Sequence, residues 1–373
     1  MAELTPVMAQ YVSIKEQHPN DVLFFRLGDF YEMFYDDAIE VSRLLNLTLT
    51  HRADAPMCGV PYHASKIYIA RLLRLGKKIA ICEQIGDPKG KGLTERKVVE
   101  IITPGNVTEE EYLENGVSNF LASICFVEGH PSDKNCKSEK MVSYAYMDIS
   151  TGSFFATHWP YSQFKQGFAS ELARSLPREL VCSQSVHDEA DFEQLTSLYP
   201  SISVSTYADW HFSLELCAKT LLNQFKTVTL KSFSINETSP EIPASGFLLE
   251  YILKNCGMSE KAVLKHVTNL NVYSDNQFLM IDDSSRRNLE ITSNLHDGTE
   301  KFSLLETVSH TCTPMGRRLL SQWFMYPLTD VQKIVERQNH IELFVKNPLG
   351  LNKIREILSK IYDIERLAGR ISL

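Results

Sequence analysis

The chain has 373 residues, enough for two or three domains with cores of their own. Hydrophobic residues make up 43% and charged residues 23%, a globular balance far from that of a disordered or collagen-like chain. A formal net charge of −8 argues against nucleic acid only as an average, because an electrostatic footprint is local.

The first element is TPVMAQYVSIKEQHP (residues 5–19), where Thr5 as N-cap and Pro6 at N1 predict a short helix that His18-Pro19 ends. The N-terminal segment has no basic n-region or apolar h-region, and no apolar run reaches membrane-spanning length. A cytosolic protein without membrane contact is expected.

The stretch VLFFRLGDFYEMFYDDAIEVSRLLN (22–46) reads as a strand, a tight turn at Gly28-Asp29, a second strand and a helix. Glycine at the first central position of a two-residue loop predicts a type II′ hairpin, since it takes positive φ there without steric cost. Alternation then places Phe30, Glu32 and Phe34 on one face and Tyr31, Met33 and Tyr35 on the other. Asp36 and Asp37 are expected to cap a helix with the stripe Ala38, Val41, Leu44 and Leu45, and Asn46 to stop it. An aromatic just behind a turn and an acid two residues on can project together from the tip. Spacing alone favours a plainer hairpin, with its aromatics in the core and Glu32 in water at the edge.

A strand LTLT (47–50), a turn-rich loop (51–61), the helix ASKIYIARLLRLG closed by Gly76, and the strands KKIAICEQ and KVVEIIT follow. They complete an α/β domain over residues 1–116. Between residues 62 and 97, nine basic side chains (Lys66, Arg71, Arg74, Lys77, Lys78, Lys89, Lys91, Arg96, Lys97) stand against three acidic ones (Glu83, Asp87, Glu95). This domain is therefore the one expected to meet phosphates, with a solvated helix face as the alternative for Arg71, Arg74 and Lys78. The basic segment GDPKGKG (86–92) reads as a mobile loop. It is no phosphate loop: it is one residue short between its glycines, has Gly where Ser or Thr must ligate magnesium, and Pro88 removes a cradle N–H.

Residues 117–265 read as a second α/β domain. It has a strand at 120–126, a polar surface insertion (128–140), the hairpin MVSYAYMDISTGSFFATH, the strand ELVCS, and three helices, SQFKQGFASELARSL, WHFSLELCAKTLLNQF and ASGFLLEYILKNC. Residues 266–373 turn all-helical from about Gln277. Ser284 or Ser285 is expected to cap SSRRNLEITSNL. In TPMGRRLLSQWFMYP, Thr313 is the N-cap, Pro314 is N1, and Met315, Leu319, Leu320, Trp323 and Phe324 form the apolar stripe. TDVQKIVERQNHIELFVKN repeats the pattern. The final LNKIREILSKIYDIERLAGRISL keeps helical spacing to the last residue, and an unstopped helix suggests a chain that has been cut. The eight cysteines (58, 82, 125, 136, 182, 217, 256, 312) show no C-x-x-C and no zinc-spaced His, so they read as reduced thiols, several of them buried.

Four blocks, GDFYEMF, LTLTHR, PMCGVPYHA and ICEQIGDP, closely resemble the N-terminal mismatch-binding domain of the MutS family of DNA mismatch-repair proteins, in family order and spacing. The resemblance implies that Phe30 wedges into the stack beside a mispaired or unpaired base and that Glu32 bonds to that base, with the DNA kinked. A mismatch has already lost pairing and stacking, so the deformation is cheaper there, and an apolar ring suits every base. Desolvation and the phosphate field favour a protonated Glu32 that donates to the base. Arg52 and Arg96 carry over as phosphate contacts, with Leu27 lining the groove and Lys97 beside Arg96. His51 stands where a basic residue is expected. Tyr62 and His63 either approach DNA or pack over Phe30's strand.

The resemblance further implies a ribonuclease-H-like connector at 117–265, the start of the core and lever at 266–373, and, in full-length members, a DNA clamp and an ABC-type ATPase. This portion is then a binding module and not an enzyme, with no cofactor, no catalytic residue and no metal site of its own. ATP and Mg2+ belong to the full-length family, as do a homodimer and a MutL-type partner docking on the connector. Two rivals remain: a nuclease using the middle domain, and a scaffold without DNA affinity. For the first, Asp148 is a single carboxylate where two-metal chemistry needs several, so it reads as a turn residue.

Overall fold

The structure is a computed structural model that describes residues 5–52, 54–85, 94–128, 139–259, 261–274 and 277–372. The expected loop at 86–92 and positions 129–138 of the expected insertion lie outside the described residues.

The first sheet holds β1 (Val22–Leu27), β2 (Phe30–Phe34), β3 (Thr50–Arg52), β4 (Ala55–Pro61), β5 (Ile79–Ile85) and β6 (Glu95–Ile102), in the order β3-β4-β2-β1-β5-β6. Only β1 and β5 run parallel; the other neighbours are antiparallel. Both faces of the centre are covered, which is why VLFFRL is a near-continuous apolar run. Val22, Phe24, Tyr31 and Met33 pack under helices α2 (Tyr35–Leu45) and α3 (Ser65–Arg74). Leu23, Phe25 and Phe34 pack under α1 (Pro6–Gln17) through Met8 and Tyr11.

Thr5 caps α1 as expected, its Oγ1 accepting from Met8 N, and Asn46 ends α2 in the left-handed region at φ 56°. Asp37 does not cap α2. It is buried, and its carboxylate accepts from Leu23 N (3.0 Å), Tyr11 Oη (3.1 Å) and Lys15 Nζ (2.8 Å), pinning α1 to the sheet. The strand expected at 47–50 begins only at Thr50, where pairing with Met57 starts. The supposed loop at 51–61 contains β4. Ala55, Cys58 and Val60 are buried there, and Pro56 and Pro61 sit near its ends, where a missing N–H is tolerated.

The second sheet holds β7 (Leu121–Glu128), β8 (Lys140–Asp148), β9 (Ser153–Pro160), β10 (Glu179–Ser183), β11 (Ser203–Tyr207) and β12 (Asn271–Val272), in the order β11-β10-β7-β8-β9-β12. Helices Leu214–Phe225 and Ile242–Asn255 cover one face and Phe164–Ser175 the other. The expected boundary at 265 falls inside a packed segment, because Leu264, Val267 and Leu270 join the same core and β12 extends the sheet. Asp148 ends β8 as a turn residue: its carboxylate accepts from Ser150 N, Ser150 Oγ and Asn119 N.

The remainder is helical. Asp282, not a serine, caps Asp283–Asn288, accepting from Ser285 N. Thr313 caps Pro314–Met325 as expected. The buried face of that helix carries Arg318 and Met325, whereas Leu319 and Trp323 are exposed. The final segment is two helices, Pro348–Leu358 and Ile364–Ser372, because Asp363 and Glu365 at the break are held by Arg318. Among the described residues no helix is long and apolar enough to cross a membrane. The described cysteines are all unbridged; burial pushes the Cys82 thiol up to about 12 and Cys58 to about 11.

Candidate nucleic-acid interface

The β1–β2 hairpin ends in a two-residue turn with Leu27 opposite Phe30. Gly28 has φ +59° while Asp29 keeps negative φ, the pattern of type II′ rather than type I′. Three contacts brace the tip. Arg26 Nε donates to Gly28 O at 2.6 Å, and Tyr62 N donates to Asp29 O at 2.8 Å. The Arg26 guanidinium lies 3.5 Å from the centre of the Tyr62 ring, on the face opposite Phe30. Tyr31, behind Phe30, is buried and donates to Glu83. Burial first, and then that bond, push its hydroxyl well above the usual tyrosine range.

On the other face, the α1 side, Tyr11 covers Phe25 and Phe34 edge-on at 5.5 and 5.0 Å. The helix does not reach Phe30, whose side chain is left 46% exposed at the mouth of that layer. Leu27 beside it is half-buried. An apolar ring therefore projects from a rigid tip, with Glu32 on the same face one pleat behind. Glu32 is not free: Arg52 Nη1 donates to its Oε2 at 2.7 Å.

The other expected contacts fall elsewhere. Arg96 is 7% exposed, and its guanidinium donates to Arg26 O (2.9 Å), Gln10 Oε1 (3.2 Å) and Thr94 O (3.0 Å) beside the Phe25 ring. It braces β6 against β1 and α1, and burial lowers its affinity for the proton. Lys97 is exposed and pairs with Glu95 at 3.3 Å. In the basic cluster read from the sequence, Lys66 pairs with Glu109 and Glu111, Lys77 with Glu40 and Lys78 with Glu179, while Lys89 and Lys91 lie outside the described residues. His51 and His63 are exposed, as is Tyr62, which serves the tip through its backbone and ring. The bracing role of Arg26 and the pairing of Arg52 with Glu32 had no sequence signal, since both depend on which strands become neighbours.

Residues 5–111, 119–266 and 284–373 match the family descriptions MutS domain I, MutS domain II and MutS domain III. The chain belongs to the MutS family. Its curated relatives include the DNA mismatch repair protein MutS of Treponema denticola, 46% identical over 370 residues, 99% of this chain and 41% of that protein. The MutS proteins of Treponema pallidum and Borrelia hermsii are 41% and 37% identical over the whole of this chain, which covers 40% and 41% of them. The chain thus spans about two fifths of the length of the MutS relatives it matches.

In this MutS chain the sheet that carries the tip is tied to the second sheet by a buried network. Lys78 Nζ donates to Glu179 Oε1 and to Tyr251 Oη, both at 2.8 Å, and to Ser205 Oγ at 2.7 Å. Gly105 N donates to the other Glu179 oxygen at 3.1 Å, and a Cβ on Gly105 would stand 2.9 Å from the Glu179 and Leu121 side chains. Lys78 O also accepts from Val22 N, the first residue of β1. Among the described residues no group of three or more His, Cys, Asp or Glu side chains is placed to hold a metal ion.

Proposed function

We propose that this chain recognises mispaired and unpaired bases in duplex DNA, as the first step of mismatch repair, by inserting Phe30 into the base stack from the minor groove. The observation that carries the reading is the solvent-exposed Phe30 ring on a hairpin tip fixed by Gly28, Arg26 and Tyr62. Insertion unstacks one step at a cost of a few kcal/mol and kinks the duplex. A defective step has less to lose, and stacking on Phe30 returns about 1–3 kcal/mol. Glu32 supplies the bond to the base. Leu27 lines the groove, Arg52 and Lys97 meet phosphates, and Arg96 serves by holding β1 in place.

The strand order of the second sheet, an antiparallel β7–β8–β9 meander with β10 and β11 added parallel on the β7 side, supports a ribonuclease-H-like connector. We place the MutL-type partner on this domain, between the tip-bearing domain (1–116) and the helical start of the core that follows β12. ATP and Mg2+ use, the homodimer and the clamp around DNA are assigned to the full-length protein, which acts in the cytoplasm on the nucleoid. With few phosphates neutralised, DNA binding by this chain is expected to be weak and only shallowly dependent on salt.

Energy transfer between dyes at the two ends of a short duplex tests the kink. At low salt, saturating protein is expected to raise transfer in a duplex with one unpaired thymidine and to leave the matched duplex unchanged. Equal transfer in both would refute insertion.

A further inference from the structure

The order β3-β4-β2 puts β4 between Glu32 and Arg52, and their partners on it, Gly59 and Ala55, lie four residues apart. For Glu32 to lean over β4 towards β3, β4 must leave room directly beside it. The residue opposite Glu32 on β4 is Gly59. A Cβ there would stand 3.5 Å from Glu32 Cγ and 3.3 Å from Tyr31 O, so the Glu32 side chain runs over the glycine. Gly59 lacks a positive φ, so the backbone does not demand glycine at this position. Through this lane Arg52 Nη1 reaches Glu32 Oε2 at 2.7 Å, the Glu32 side chain 16% and the Arg52 side chain 50% exposed.

We propose that Arg52 is a latch on Glu32 that sets how sharply the tip discriminates: it holds the carboxylate across Gly59 in the free protein and on matched DNA, and releases it to a mispaired base. The inference rests on the wedge reading of Phe30. A lone carboxylate at the tip is repelled by the phosphates of any duplex, and the Arg52 guanidinium cancels that charge. At a mismatch, the Arg52 bond must break before Glu32 either accepts from the base or, having taken up a proton, donates to it. Part of the Glu32–base contact is therefore offset by the lost pair. Arg52 raises affinity for all duplexes and softens the preference among them.

The test is equilibrium binding of the full 373-residue chain at low salt to a matched duplex and to one with a single unpaired thymidine. The proteins are wild type, Arg52→Ala, Glu32→Gln and the double variant. A pair this exposed is weak, so Arg52→Ala is expected to lower both affinities while raising the ratio of unpaired-thymidine to matched affinity roughly two- to fivefold. In the Glu32→Gln background the same substitution should leave the ratio unmoved. A ratio unchanged or lowered by Arg52→Ala alone would make Arg52 a phosphate contact only and overturn the latch. The same rise in both backgrounds would overturn it too. A wild-type chain without any preference would instead overturn the wedge reading beneath it.

Discussion

Phe30 keeps its ring in water because α1 stops covering the sheet one pleat earlier, over Phe34 and Phe25. A side chain that contributes so little burial is held for something other than stability. Phe30→Ala is therefore expected to change unfolding free energy by no more than about 0.5 kcal/mol, which denaturant titration will measure. Asp37 is the opposite case. Its carboxylate serves a backbone N–H, a tyrosine and a lysine from three different elements. Asp37→Ala leaves buried donors without an acceptor and should cost about 3 kcal/mol in the same titration. The sequence marks Phe30 and Glu32 through a short motif, but it offers Asp37 only as a helix cap. Nothing local shows that Tyr11 and Leu23 will converge on it.

The hairpin is the element that turns an exposed ring into a wedge, and its turn depends on one backbone angle. No atom beyond its chain neighbours lies within 4 Å of where a Gly28 Cβ would stand, so Gly28→Ala tests conformation alone. At φ +59° alanine is strained by about 1 kcal/mol. The variant should lose that much stability, and more of its mismatch preference than of its affinity for matched DNA. The II′ turn was legible because only glycine takes that angle freely. Strand β4 was not, since Pro56, Gly59 and Pro61 imitate a loop, and their tolerance depends on a partner strand, β3, only three residues long. Likewise the helical period of 331–345 and 348–358 was legible, yet neither helix has a buried residue among those described. Periodicity gives a helix its faces; it does not say what each face meets.

At the scale of the whole molecule, the fully buried Glu179 carboxylate joins the two sheets through Lys78, close to the start of the strand that ends in the tip. Lys78→Ala strands that carboxylate and is expected to cost about 3–5 kcal/mol, whereas Lys78→Met with Glu179→Leu should cost less, about 1–3 kcal/mol, for the Gly105 N–H and Tyr251 hydroxyl left without their acceptor. Burial alone would lower the Lys78 ammonium's hold on its proton, but the charge and hydrogen bond of Glu179 outweigh it and raise that hold above the ordinary value. A raised folded value means that the pair contributes fully below the unfolded lysine range, near pH 10, and fades as pH rises beyond it. Thermal unfolding of wild type and the double variant should therefore keep a constant gap from pH 7 to about 10 and diverge from it only above. This junction was invisible in the sequence, where Lys78 read as one more member of a basic face.

The wedge itself is tested most directly by equilibrium binding of wild type and Phe30→Ala to a duplex with one unpaired thymidine and to its matched counterpart at low salt. We expect wild type to prefer the defective duplex and Phe30→Ala to bind both alike, at about the wild-type affinity for the matched one. A preference that survives in Phe30→Ala would place recognition elsewhere in the molecule.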